Sequence, residues 1–266
     1  MKNMNILFTI CGRAGSKGIE NKNIRQFCGH HLSYYAVSII DLYVKRHPEI
    51  TFDVVVNSDS KELLEIVTNN KMLPVEKIER VDSLSGDFVG KIAVIQDCLT
   101  QMENRKSIKY DMVVDLDITS PLRTVKDLEK VIEKQIDKNA DVTTTVSTAR
   151  RNPYFNQVKR TGQGVKKVIE ANYSARQQAP EIFDMNASIY AYKPEYLSSG
   201  KGVLDGYCEI VEMYDTGILD LDHENDFELM EVIARHLFEK YEDFKEVKEH
   251  IITKLSAKDE RKSSGK

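Results

Sequence analysis

Apolar residues fall into two alternating patterns along this chain. Residues 6–11 form a short continuous apolar run that stops at a glycine-rich turn, and Val54-Val55-Val56 and Met112-Val113-Val114 repeat that form. Between them lie longer segments with apolar residues every three or four positions. Residues 32–44 carry Leu32, Tyr35, Ala36, Ile39, Ile40 and Tyr43 in this way, and residues 61–69, 92–102 and 125–136 follow the same rhythm. A 3.6-residue period predicts helices, and uninterrupted runs predict strands covered on both faces. Residues 141–147, rich in Val and Thr, predict another strand. Strands alternating with helices predict an α/β fold with a mainly parallel, doubly wound sheet. Ligands of such sheets bind beyond the carboxyl ends of the strands. Residues 12–23, 57–60 and 117–123 are therefore expected to share one rim.

The alternation breaks near Ala149. Residues 149–179 are polar, with Gly162 and Gly164 inside an expected hairpin of residues 155–159 and 165–169. A hairpin buries no face by itself, so it should lean on the core or on a second subunit. The sheet pattern resumes at residues 187–192. The last long helix is expected over residues 225–241, with Phe227, Met230, Ile233, Ala234 and Leu237 on one side. Residues 1–255 thus read as one domain, and 256–266 as a disordered tail.

Composition changes this picture little, but it excludes several classes. A chain of 266 residues buries one good core, and 41% hydrophobic with 30% charged residues describes a globular protein. The net charge is −4 and the cations are scattered, so nucleic acid is not an expected partner. One small anion needs only a few cations. The four cysteines, Cys11, Cys28, Cys98 and Cys208, form no C-x-x-C pair and read as reduced structural thiols. No apolar stretch approaches the ~20 residues of a membrane span. The first residues run directly into a strand, so neither a secretion signal nor a membrane is expected, and the location is read as cytoplasmic.

The candidate chemistry lies on the rim. After the first strand comes Cys11-Gly12-Arg13-Ala14-Gly15-Ser16-Lys17-Gly18-Ile19-Glu20-Asn21-Lys22-Asn23. Glycines three apart let the backbone turn tightly and bring N–H groups to a ligand. Arg13, Lys17 and Lys22 supply cations for phosphate, and Ser16 a hydroxyl. Neither the P-loop order nor G-x-G-x-x-G is present. The loop is either an anion cradle or a solvated basic turn, and its place at a strand end favours the cradle. Asp115 and Asp117 flank Leu116 at a strand end, as metal-site carboxylates or as a simple turn. Asp220 and Asp222, two apart on an extended segment, point the same way and suit Mg²⁺, which takes one or two carboxylates plus substrate phosphates. The competing role for Asp222 is a helix N-cap. His223 reads as a capping neighbour, and His30-His31 as part of a loop.

These residues resemble the acylneuraminate cytidylyltransferases, or CMP-sialic acid synthetases. The resemblance rests on Arg13-Ala14-Gly15-Ser16-Lys17-Gly18 with Lys22-Asn23, and on Thr119-Ser120-Pro121-Leu122-Arg123. It continues through Arg176-Gln177-Gln178 with Pro180, Asn186-Ala187-Ser188-Ile189-Tyr190, and Asp220-Leu221-Asp222 after Thr216. These motifs run in order from residue 12 to residue 222. Gly12 stands where that family usually has Ala, Asp117 where many members have Gln, and Asp184-Met185 where they have Arg-Pro. Asn152-Pro153-Tyr154-Phe155-Asn156 and residues 183–190 resemble the branch acting on legionaminic acid and related nonulosonates, and the missing cation at Asp184 points away from N-acetylneuraminate itself.

The resemblance implies a Rossmann-like nucleotidyltransferase with residues 149–182 as a β-hairpin dimerisation insertion, and hence a homodimer. It implies that Arg13, Ser16, Lys17 and Lys22 hold the phosphates of CTP, with Asn23, Arg80 and Lys91 also around the nucleotide. Asp117, Arg176 and Asn186 would face the acidic nonulosonate or the reaction centre, and Asp220 and Asp222 would bind Mg²⁺. The implied reaction joins CMP from CTP to a nine-carbon acidic keto-sugar. Arg13 and Lys17 would stabilise the charge growing on pyrophosphate, while the general base stays open between a metal-bound water and an aspartate. A synthetase for CMP-3-deoxy-octulosonate, a glycosyltransferase using a nucleotide-sugar, and a non-catalytic CTP-binding regulator are the alternatives.

Overall fold

The computed structural model describes residues 4–15, 18–86, 89–173, 175–216, 221 and 223–256, with the Arg176 side chain excepted. The chain opens with β1 (Asn5–Cys11), a small hairpin of β2 (Gln26–Phe27) and β3 (His30–His31), α1 (Leu32–Arg46), β4 (Thr51–Ser58), α2 (Lys61–Thr68) and β5 (Glu76–Glu79). It continues through α3 (Lys91–Lys106), β6 (Met112–Leu116), α4 (Val125–Lys138), β7 (Val142–Thr148), β8 (Val158–Thr161) and β9 (Gly164–Lys167). It closes with β10 (Phe183–Tyr192), α5 (Pro194–Leu197), β11 (Cys208–Glu212), α6 (Glu224–Lys240) and α7 (Glu242–Ser256).

Among the described residues, seven strands form one sheet in the order β11-β7-β10-β6-β1-β4-β5. Neighbours pair in parallel except β10, which runs antiparallel between β6 and β7. The alternation of side chains along each strand feeds two cores. Ile6, Phe8, Ile10, Val54, Val56, Met112 and Val114 point to the side covered by α1, α2, α4, α6 and α7. Leu7, Val55 and Val113 point to the other side, under α3 and α5. Burial on both faces explains why these strands read as continuous apolar runs. The sheet is mainly parallel and doubly wound, as its pattern predicts.

Several expectations need correction. The helix ending near Tyr241 is not the last. Tyr241 adopts an extended conformation, and α7 then packs Phe244, Val247 and Ile251 into the core beside α1. The hairpin strands lie a few residues from their expected limits. The Asn152 carbonyl accepts from the N–H groups of Phe155, Asn156 and Gln157, which holds those residues in a turn. The hairpin therefore begins at Val158 and pairs β8 with β9. His30 and His31 are strand residues of β3, opposite Gln26 and Phe27, rather than loop. The expected tail beyond residue 256 lies outside the described residues.

Candidate active site

The ends of β1, β4 and β6 carry the three expected loops to one rim. Register makes this so: Cys11 lies beside Asn57, and Thr9 beside Asp115. Gly12 N donates to the Asn57 carbonyl at 3.1 Å, Ala14 N to Asp59 Oδ1 at 2.6 Å, and Asn23 Nδ2 to the Arg13 carbonyl at 2.9 Å. A side chain at Gly12 would meet Leu63 Cδ2 at 2.5 Å and Ile118 Cδ1 at 2.9 Å. Glycine lets the loop lie that close to the sheet. Gly15 has φ +68°, a left-handed conformation that glycine adopts without strain. Arg80 sits across the same end of β4, with Nε donating to Asn57 Oδ1 at 2.7 Å and Nη2 to its carbonyl at 3.2 Å.

Lys22 joins the amino-terminal loop to the far end of the chain. Its Nζ donates to the carbonyl of Leu221, the buried residue between Asp220 and Asp222. The neighbouring contacts run the same way. Arg25 pairs with Glu224 at 2.6 Å and lies 4.2 Å from the centre of the Phe227 ring, and Cys28 N donates to Glu231 Oε1 at 2.7 Å. Ser16, Lys17, Asp220, Asp222 and the Arg176 side chain lie outside the described residues. Among the described residues no cluster of three His, Cys, Asp or Glu is placed to hold a metal ion. The N-cap of α6 is His223, whose backbone N–H donates to Asp226 in a capping box.

A network of charges occupies the end of β6. Asp115 is buried, and its Oδ1 accepts from Thr9 Oγ1 at 2.7 Å. Lys91, the first residue of α3, brings Nζ to 2.7 Å from Asp115 Oδ2, as an ion pair off hydrogen-bonding alignment. The same Nζ donates to Asp117 Oδ2 at 2.6 Å. Asp117 Oδ1 accepts from the backbone N–H and hydroxyl of Thr119, at 2.9 and 2.8 Å. Burial pushes the Asp117 carboxyl upward, but Lys91 and the Thr119 donors outweigh it and hold the group at about 2. Burial likewise works against the Lys91 charge, and the two carboxylates keep its pKa well above the lysine range. The structure therefore joins Lys91 and Asp117, which the resemblance sets around the nucleotide and facing the sugar or reaction centre respectively.

Arg123 ties this network to β10. It is 1% exposed, and its guanidinium donates to the Ser188 carbonyl at 2.7 Å and the Asp117 carbonyl at 2.6 Å. Its Nε is buried without a hydrogen-bond partner, and burial lowers its pKa to about 10. Asp117 N donates to the same Ser188 carbonyl at 3.0 Å. Ser188 follows an irregularity in β10 at which Ala187 takes φ +48°. This left-handed alanine is a local strain of the kind that gathers at functional sites. Asn186, just before it, accepts from Thr145 Oγ1 at 2.7 Å.

Beside Lys91 lies a cavity of about 460 Å³, mostly apolar, whose lining includes Tyr190, Tyr192, Gln96, Gly202 and Val203. Nothing in the sequence marks this cavity, and Arg123 reads there only as the end of a motif on the rim, not as a buried side chain. Thr9, a polar residue inside an apolar strand, was the one local sign of the Asp115 network. The Cys11 thiol, at the foot of the glycine loop, is raised well above the usual range by its hydrogen bond with Cys98 and by burial. That suits a structural thiol rather than a nucleophile. All four cysteines are unpaired.

A sequence profile described as "Cytidylyltransferase" matches residues 7–254. The chain is 34% identical over 239 residues to "Post-translational flagellin modification protein B" of Campylobacter coli, covering 90% of this chain and 99% of that protein. It is 36% identical over 228 residues to "CMP-N,N'-diacetyllegionaminic acid synthase" of Campylobacter jejuni, covering 86% and 94% of the two chains. A solved CMP:2-keto-3-deoxy-manno-octonic acid synthetase, complexed with CTP, superposes with a TM-score of 0.56 at 14% identity. It covers 87% of this chain and 99% of that one, a likeness of fold. With a profile match spanning nearly its whole length, and relatives above 30% identity that it covers almost end to end, the chain belongs to the cytidylyltransferase family.

Proposed function

We propose that this chain transfers CMP from CTP to a nine-carbon acidic keto-sugar of the legionaminic or sialic acid type. The acceptor's anomeric oxygen bonds to the α-phosphorus of CTP, the α–β phosphoanhydride bond breaks, pyrophosphate leaves, and the hydroxyl proton is lost. One observation carries the reading: Lys22 of the glycine loop reaches the Leu221 carbonyl, so the cationic loop and the segment of the acidic pair meet at one place. The C. jejuni relative named for a CMP-legionaminic acid product supports the acceptor class.

Arg13, Ser16, Lys17 and Lys22 hold the triphosphate, where cations and backbone N–H groups offset its charge. Asn23 and Arg80 line the same rim. Two carboxylates two residues apart in the sequence are oxygen donors of the kind Mg²⁺ prefers, and Asp220 and Asp222 would hold it. Bound there, the ion would neutralise phosphate charge. The chain's own part is positioning, which dominates phosphoryl-type transfer. Asp117, with both oxygens engaged and a pKa of about 2, is a poor proton acceptor and shapes the acceptor site, its charge offset by Lys91. Asn186, Arg176 and the cavity bordered by Tyr190 and Tyr192 complete that side. The β8–β9 hairpin, with Val158 and Val165 61% and 64% exposed, fits a homodimer interface.

The test is pyrophosphate release from CTP and Mg²⁺ across a panel of eight- and nine-carbon acidic keto-sugars, with wild type and Asp222→Asn. Release with nine-carbon sugars, and a loss of at least a thousandfold in the variant with its melting temperature kept, is expected. Release only with the eight-carbon sugar overturns the acceptor class. CTP binding without turnover makes the chain a regulator, and turnover only of a nucleotide-sugar makes it a glycosyltransferase. An unimpaired variant removes the metal-ligand role.

A further inference from the structure

Lys91 occupies a costly position. It is the first residue of α3, and no acidic residue stands in that helix's first turn. The amino end of a helix carries positive partial charge and disfavours a cation. Helix formation therefore does not account for this lysine. Its two carboxylates do: Nζ lies 2.7 Å from Asp115 and 2.6 Å from Asp117, and Asp115 is fully buried. The remaining cation of the cluster, Arg123, gives its hydrogen bonds to backbone carbonyls of Ser188 and Asp117. Two aspartates against one lysine and one arginine make a balanced cluster. It borders the apolar cavity next to the rim that receives a tetra-anionic nucleotide and, on the reading above, an acidic sugar.

We propose that Lys91 and Asp117 act as one charge-compensated unit that sets recognition of the acidic acceptor, the lysine being a positioning residue for the aspartate. Lys91 is thereby moved from the nucleotide to the acceptor side. Without it, the cluster carries one uncompensated negative charge in a partly desolvated place, where charge acts over longer range than in water. Lys91 is the member of the cluster that lines the adjacent cavity, so an anion entering there would sit beside the uncompensated carboxylates behind it; on this proposal CTP lies farther away and meets the charge less. Without both members, Asp115 and Arg123 still balance.

This inference rests on the acceptor class proposed above. The experiment is a double-mutant cycle of Lys91→Met, Asp117→Asn and the pair together, read as KM and kcat for acceptor and CTP with melting temperatures alongside. Lys91→Met is expected to raise the acceptor KM at least tenfold and the CTP KM by a smaller factor. The added Asp117→Asn should recover most of that loss. A double variant as impaired as Lys91→Met alone overturns the unit, because the lysine then works through contacts of its own. So does a fall in melting temperature with the acceptor KM unchanged. If the wild type releases no pyrophosphate with any acidic keto-sugar, the acceptor reading fails first and takes this inference with it. Failure in the variants alone, with wild type active, sinks only the unit.

Discussion

Two places in this molecule bury an aspartate among cations, and they differ in what the charges are for. On the helical face, Asp41 of α1 takes Lys45 and His250 at 2.7 Å and Lys254 at 3.7 Å, the last two from α7. One acid is surrounded by several basic groups carried on two regular helices, and the contact holds α7 to α1. On the rim, two acids share one lysine, and the nearby arginine serves backbone carbonyls. The backbone there is irregular, with Ala187 left-handed in a strand. The first arrangement is saturated by its own partners, whereas the second is balanced and stands beside an open cavity. Saturation suits a clamp, and balance suits a surface that must receive anions.

The largest expected effect breaks the rim. Arg123→Met keeps much of the side-chain volume but removes the buried donor of the Asp117 carbonyl and one of the two donors to the Ser188 carbonyl, which keeps Asp117 N. An unsatisfied buried acceptor costs about 1–3 kcal/mol, so with one carbonyl orphaned the variant should lose about 3 kcal/mol in denaturant unfolding. Turnover should fall at least a hundredfold under conditions where the variant remains folded, because the Asp117 turn and β10 lose their shared anchor. Normal turnover in folded Arg123→Met would show that the anchor holds the fold alone.

Breaking the helical clamp should separate stability from chemistry. Asp41→Asn removes the charge that faces Lys45, His250 and Lys254, and because the two lysines are partly exposed the cost should be about 2 kcal/mol. The kcat and both KM values of the folded variant should stay within twofold of wild type. A changed acceptor KM would mean that α7 is coupled to the rim, and the contrast between the two clusters would fail.

The legibility of these features in the sequence follows their physics. Central strands β1, β4 and β6 are covered on both faces, so each shows as an unbroken apolar run. The edge strands escaped notice: Glu76–Glu79 buries only Ile78, and Cys208–Glu212 only Val211. Edges carry charge to discourage pairing with other chains, which erases the strand signal. The glycine loop announced itself through local spacing. The Lys91–Asp117 pair did not, because 26 residues separate its members and only the packing of α3 against the sheet brings them together. Arg123 was visible as the end of a motif, but nothing in its neighbours foretold complete burial.

The smallest effect is also the sharpest comparison of the two clusters, because it reads their charges directly. Asp117 is held at about 2 and Asp41 below the usual carboxylate range. In both, burial opposes the shift and basic or hydroxyl partners overcome it. A carboxyl with a lowered folded-state pKa adds stability that is complete above its unfolded value, about 3.9. That stability is lost as pH falls through the folded value. Asp117 should therefore contribute on the order of 2 kcal/mol at neutral pH, disappearing between about pH 4 and pH 2. Denaturant unfolding at steps from pH 6 to pH 2 measures it. Asp117→Asn and Asp41→Asn should each flatten the acid limb relative to wild type, since neither asparagine titrates. If only Asp41→Asn flattens it, Lys91 does not hold Asp117 ionised, and the balanced cluster at the rim is not formed in solution.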